Sequence, residues 1–180
     1  MRGLIHKLQD RYRLGEVEHK RPDLTFVTVR QDEVRAILTE MRDVEGFTHL
    51  VLLTAVDWIE DHLFQLTYLL NNRGENQTVG LRVMIDRDGA RGETIHDLWP
   101  TAAVYQRELR EMFGIDFPGS PRVDEEFMLE GWTDLPPYRR DFDSLGYSQQ
   151  TYNDRPGREN TDPRVHMQQQ MYPDPGKGGA

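Results

Sequence analysis

Apolar positions fall in short runs with two different periods along this 180-residue chain. Leu4, Ile5, Leu8 and Tyr12 recur at helical spacing among Lys7, Asp10 and Arg11, which predicts an amphipathic helix over residues 2–13 ended by Gly15. A polar strand follows at Val17–Lys20, and Pro22-Asp23 makes a turn. Leu24–Val29 alternates with period two and is rich in β-branched residues, so it reads as a strand, although its two faces look equally fit to be buried. Asp32 is placed to cap a second helix whose apolar stripe is Val34, Ile37, Leu38 and Met41, with Gly46 stopping it. His49–Trp58 is apolar on both faces and reads as a buried central strand. Leu63–Leu70 and Thr78–Ile85 flank the turn-forming run Asn71–Asn76 and predict a hairpin. Asp86–Gly89 is a further turn.

A third helix is expected at Ala102–Phe113, with Ala102, Tyr105, Leu109 and Met112 at i, i+3, i+7 and i+10, ending at Gly114. Arg107 and Glu111 are four apart and can pair on one face, with Glu108 about a quarter-turn away. Gly114–Pro121 then forces a bent, non-helical course, and Phe127, Trp132 and the Tyr138–Phe142 run carry large side chains without a regular period. Aromatic and arginine side chains on an extended segment are typical anchors of a protein interface. From Asp143 onward Ser, Gln, Asn, Asp, Pro and Gly dominate, which is too little apolar surface for independent folding. The element order predicts an α+β fold: a mostly antiparallel sheet with helices packed on one face, followed by an extended C-terminal arm and tail. The expected divisions are an α+β domain over 1–115, a docking arm over 116–142, and a polar tail over 143–180 ordered only on partners.

Charge and composition narrow the chemistry. Net charge is -9, which argues against nucleic acid as a partner, because phosphate contacts need a basic surface. With no cysteine, the chain can form no disulfide and supply no thiolate to zinc or to an iron–sulfur cluster. The N-terminus lacks the apolar run of a signal peptide, and no segment approaches the ~20 apolar residues of a membrane span, so a cytoplasmic location is expected, with membrane association only through partners. None of the six histidines falls in a metal-binding motif. His62 lies near Asp57, Glu60 and Asp61, which leaves a metal-dependent soluble enzyme as an alternative, but a solvated turn between strands is the simpler account. Glycine-rich phosphate loops and nucleophile motifs are absent.

Several stretches together resemble the 30 kDa subunit family of respiratory complex I (NADH:quinone oxidoreductase). That family typically reads L-W-P-x-A, E-R-E, D-L-F-G-I-x-F-x-G-H-P, a stretch ending D-W, and L-R-K-D-Y. Here Asp97–Ala102 contains Trp99-Pro100, and Arg107-Glu108 match the last two members of E-R-E. Glu111-Met112-Phe113-Gly114-Ile115, Phe117 and Gly119-Ser120-Pro121 follow. Glu130-Gly131-Trp132 and Tyr138-Arg139-Arg140-Asp141-Phe142 complete the series, and Leu53–Asp57 resembles an upstream strand motif of the family. Gln106, Glu111 and Ser120 stand where glutamate, aspartate and histidine are usual.

The resemblance implies a scaffold subunit of the hydrophilic arm, peripheral on the cytoplasmic side of the membrane, with no cofactor of its own. Iron–sulfur clusters and a quinone or nickel–iron centre would belong to partner subunits. The implied partners are the large quinone-site or hydrogenase-like subunit and the iron–sulfur subunits. Divergent relatives occur in membrane-bound energy-converting nickel–iron hydrogenases and ferredoxin-linked complexes, and the substitutions leave that branch open. The motif and docking residues so implied are Trp99, Arg107, Glu108, Glu111, Phe113, Gly114, Phe117, Pro121, Phe127, Trp132, Arg139, Arg140 and Asp141.

Overall fold

A computed structural model describes residues 2–151. Met1–Phe142 forms one compact unit, so the stretch expected as an arm, 116–142, folds together with the sheet. The chain runs α1 (Arg2–Gln9), β1 (Val17–Arg21), β2 (Leu24–Val29), α2 (Val34–Asp43), β3 (His49–Trp58), β4 (Leu63–Asn72), β5 (Gln77–Asp86) and α3 (Ala102–Phe113). A short 3-10 turn, Ile59–Asp61, joins β3 to β4.

The five strands form one sheet in the order β1-β2-β5-β4-β3. All neighbours are antiparallel except β2 and β5, which run parallel with Phe26 opposite Gly80. The α+β class with a mostly antiparallel sheet is therefore as expected. One face of the sheet is buried: Thr25, Val27 and Val29 from β2, Leu53 and Ala55 from β3, Phe64 and Leu66 from β4, and Val83 and Ile85 from β5. Leu4 and Leu8 of α1, Ile37 and Leu38 of α2, and Leu109 and Met112 of α3 join them in a single core. Helices α1 to α3 thus share one face. That settles β2, whose Leu24, Phe26 and Thr28 point to the other side and are only partly covered.

Four local expectations change. Strand β3 is an edge strand, not a central one. Its apolar character on both sides has a different cause: the inward residues fill the core, while Val56 and Trp58 lie exposed on the outer face. Helix α1 stops at Gln9 rather than Arg13, because Gly15 N–H donates to Thr28 O (2.8 Å) and Thr28 N–H to Glu16 O (2.9 Å), drawing the chain into the sheet. Asp32 does not cap α2; it is paired with Arg30, and Glu33 takes the N-cap position without a side-chain hydrogen bond. Within the stretch expected as tail, Ser144–Thr151 is a helix, α4, with no buried residue. Asp143 starts it by accepting a hydrogen bond from Gly146 N–H at 2.9 Å. The remainder of the expected tail lies outside the described residues.

Helix α3 has the bounds its periodicity predicts, and its stripe of Ala102, Leu109 and Met112 is buried. Gly114 ends it with φ +77°, a left-handed conformation costly to any residue with a Cβ. At Gly92 it is space that matters: the buried Phe117 ring would lie 2.4 Å from an added Cβ.

Candidate functional site

The inward alternation of β3 ends in a charge. Leu53, Ala55 and Asp57 share the buried face, and the Asp57 side chain is 1% exposed. On β5, Val83 and Ile85 point inward in the same way, and Arg87 continues their phase one step beyond the strand. Asp57 is opposite Phe64, and Phe64 is opposite Ile85, so the two charges converge at one end of the sheet across β4. The Arg87 guanidinium passes 5.7 Å from the Phe64 ring centre and forks onto the Asp57 carboxylate at 2.9 and 3.1 Å. Arg87 is itself 8% exposed.

The chain end of this unit closes the cluster. Asp141 accepts a hydrogen bond from Arg87 at 2.7 Å, and Arg140 N–H donates to Asp57 Oδ2 at 2.9 Å. The Arg139 Nε lies 3.5 Å from Asp141, and its guanidinium also stands over the Phe64 ring, at 5.8 Å. Arg140 reaches Glu60 at 2.5 Å. Burial works against ionisation of Asp57, but the Arg87 guanidinium and the Arg140 N–H outweigh it, and the carboxyl is held below the usual range. Asp141 is lowered in the same way, against burial and by Arg87. Arg87 is raised, chiefly by Asp57. A buried, bidentate ion pair thus joins β3 to the end of β5, the geometry in which charge-assisted hydrogen bonds are strongest, and residues 139–142 fasten onto it through the Arg140 N–H and Asp141.

This outcome dissolves the acidic loop considered as a metal site. Asp57 turns inward onto Arg87, while Glu60 pairs with Arg140. Among the described residues no group of three His, Asp or Glu side chains could hold a metal ion.

A second tie runs from α3. The Glu111 carboxylate accepts backbone N–H bonds from Phe127 (2.7 Å), Met128 (2.8 Å) and Leu129 (3.2 Å). Arg107 stacks over the Phe127 ring at 5.0 Å. The i,i+4 ion pair expected between Arg107 and Glu111 does not form among the described residues, because each side chain is turned to the incoming segment instead. A cleft of ≈ 250 Å³ remains between α3 and this segment, bordered by Arg107, Glu111 and Trp132. Glu108 is half-buried on the same helix.

The other sequence-implied residues divide plainly. Trp99 is buried and donates to Thr48 O at 3.0 Å. Phe113 and Phe117 are buried, and Phe113 meets the rings of Phe64 and Tyr138 edge-on. Trp132 packs against Phe142 at 5.6 Å. Pro121 and Arg140 are exposed. Gln106 is fully buried. Its carboxamide accepts from Thr94 Oγ1 (3.1 Å) and donates to Glu93 O (3.3 Å), a combination that an ionised glutamate could not satisfy. Arg87 was missed, since a charged residue in a turn carries no evident function. The available signal was its phase: Asp57 stands at an inward position of β3, and Arg87 carries the opposite charge one step beyond β5, in the phase of its inward positions.

Fold and site together define a small α+β domain closed by an ion-paired C-terminal segment. Residues 27–148 match the family described as the respiratory-chain NADH dehydrogenase 30 Kd subunit, and the chain belongs to that family. It is 31% identical over 120 residues to the C-type subunit of NADH-quinone oxidoreductase from Moorella thermoacetica, covering 67% of this chain and 80% of that one. A C/D-type subunit of the same kind of oxidoreductase from Aquifex aeolicus is 35% identical over 119 residues, which are 66% of this chain but 20% of the Aquifex protein. A chain in the structure of the membrane-bound sulfane sulfur reductase, an archaeal respiratory membrane complex, superposes with TM-score 0.80 at 27% identity, covering 89% of this chain and 96% of that one. The fold also matches the trypsin-resistant fragment of Nqo5, with TM-score 0.58 at 22% identity over 67% of this chain and 96% of that one. No helix among the described residues is long and apolar enough to cross a membrane.

Proposed function

We propose that this chain is a scaffold subunit of a membrane-bound, complex I-family redox assembly, carrying no cofactor and docking on the large catalytic subunit. The likeness to a chain of an archaeal respiratory membrane complex, over 89% of the length at TM-score 0.80, carries the reading. The Aquifex relative adds support for the partner: there a matching stretch is one fifth of a single C/D polypeptide, so a docked neighbour is a natural counterpart of the remainder. The two ties described above suit such a role, because a surface held in one conformation loses less entropy on docking. On this reading residues 116–142 brace the domain while presenting Arg140 and Met128 at its surface, and the chain sits peripherally on the cytoplasmic side. Clusters and quinone or nickel–iron chemistry belong to neighbouring subunits.

The test is affinity purification of the full chain from its native membranes in mild detergent. The expected preparation contains a large subunit, integral membrane subunits and stoichiometric iron. A chain recovered alone and iron-free would refute the proposal. The sulfane sulfur reductase likeness favours a second reading, in which the assembly is a respiratory membrane complex other than an NADH-quinone oxidoreductase, and the substitutions at Gln106, Glu111 and Ser120 suit the hydrogenase-like or ferredoxin-linked branch. NADH-dependent quinone reduction by the purified complex would exclude that branch.

A further inference from the structure

Helices α1 to α3 cover one face of the sheet, and the opposite face ends in an apolar corner that unit Met1–Phe142 leaves open. Outward positions on the three long strands fall in rows. Trp58 is opposite Leu63, and Val56, Gln65 and Met84 form the next row. Val56 and Trp58 are each 42% exposed and Met84 is 36% exposed, in a chain whose interior apolar residues are nearly all below a tenth. Away from this corner the same face is self-covered: the Phe26 ring lies over Gly80, and the Arg82 guanidinium stacks on Phe26 at 4.3 Å while bonding Glu18 at 3.0 Å. The corner continues through Met84 into a groove of ≈ 670 Å³ that runs past Thr28 to Glu93. Its rim is acidic. Asp61, Asp86 and Asp88 are exposed and have no ion-pair partner among the described residues, unlike Glu60, which Arg140 neutralises.

We infer that this corner is an interaction surface for a basic amphipathic segment of a neighbouring subunit. The segment's aliphatic or aromatic side chains would cover Val56, Trp58 and Met84, and its lysines or arginines would meet Asp61, Asp86 and Asp88. Charge complementarity selects this occupant. A second copy of the chain would bring the same three carboxylates against themselves, and an anionic lipid surface would be repelled by them. An exposed tryptophan beside further apolar side chains has the make-up of an interface hot spot. The inference rests on the chain being part of an assembly, and it locates contact on the sheet face, distinct from residues 116–142.

The experiment uses the assembly purified from native membranes, with the full chain tagged. A photo-crosslinking phenylalanine in place of Trp58 is expected to join a peptide of another subunit in which apolar residues alternate with lysine or arginine. Crosslinking only to a second copy of this chain, to lipid, or to nothing in an intact assembly would overturn the inference while leaving the proposed function standing. Trp58→Lys with Met84→Lys is expected to reduce retention in the assembly about tenfold or more. Val104→Lys, at a still more exposed apolar position on α3, should leave it unchanged. Asp61→Asn with Asp86→Asn, which changes charge without shape, should weaken retention several-fold and make it less sensitive to salt. Equal retention of all variants overturns the inference, and a wild-type chain that associates with nothing overturns both readings.

Discussion

Replacing Asp57 with alanine removes the acceptor on which three donors converge: two N–H groups of Arg87 and the backbone N–H of Arg140. Arg87 stays 8% exposed in the native fold and keeps only Asp141, which is itself 36% exposed. Removing one partner of a buried ion pair costs about 3–5 kcal/mol, because the remaining charge is left uncompensated. For a domain of this size that corresponds to a melting temperature lower by roughly 6–20 °C. Replacing both partners with apolar residues, Asp57→Leu with Arg87→Met, removes the stranded charge. What remains is the unsatisfied Arg140 N–H, about 1–3 kcal/mol, and a part-exposed Asp141 carboxylate left to Arg139 alone. The double variant is therefore expected to be more stable than Asp57→Ala. Urea unfolding of the full chain followed by far-UV circular dichroism, run as a double-mutant cycle, measures this directly. A cost below about 1 kcal/mol for Asp57→Ala, or a coupling energy near zero, would refute the assignment of the pair as the anchor onto which residues 139–142 fasten.

Three further outcomes follow from the same contacts. Asp57 and Asp141 both ionise more readily in the folded chain than in the unfolded one, so their contribution is present above the unfolded carboxylate range, about 3.9, and is lost as pH falls through their lower folded values; acid titration of stability should fall less steeply in Asp57→Asn than in wild type. Glu111→Ala leaves the N–H groups of Phe127, Met128 and Leu129 without their acceptor, so these amides should lose hydrogen-exchange protection, at a stability cost of about 1.5–3 kcal/mol; unchanged protection would show that the segment is held by other contacts. Gly92→Ala drives a methyl into the buried Phe117 ring and should cost about 1–3 kcal/mol in a thermal melt, whereas Gly89→Ala, with open space around it, should lose only what its positive φ of 63° imposes.

Periodicity alone determined much of this protein. The stripe of α3, the hairpin of β4 and β5, and the α+β class follow from local repeats of apolar residues, because burial of one face is the dominant force on each element. The family was legible too, since its motif residues occur at fixed separations along the chain. Three matters lay beyond a linear reading. Strand order is one: β3 is apolar on both sides whether it is central or at an edge, and only pairing shows that its second face holds Val56 and Trp58 in the open. The destination of residues 127–142 is another. Aromatics and arginines on an irregular segment look the same in sequence whether they face a partner or their own domain. Tertiary structure turns Arg107, Glu111, Trp132 and Arg139 mainly toward their own domain. The last is the pairing of Asp57 with Arg87, separated by 30 residues and one intervening strand. Each charge had a local reading as a turn residue. Only the convergence of two inward phases at one end of the sheet makes them a pair, because electrostatic energy depends on distance in space and burial, and neither is written in sequence separation.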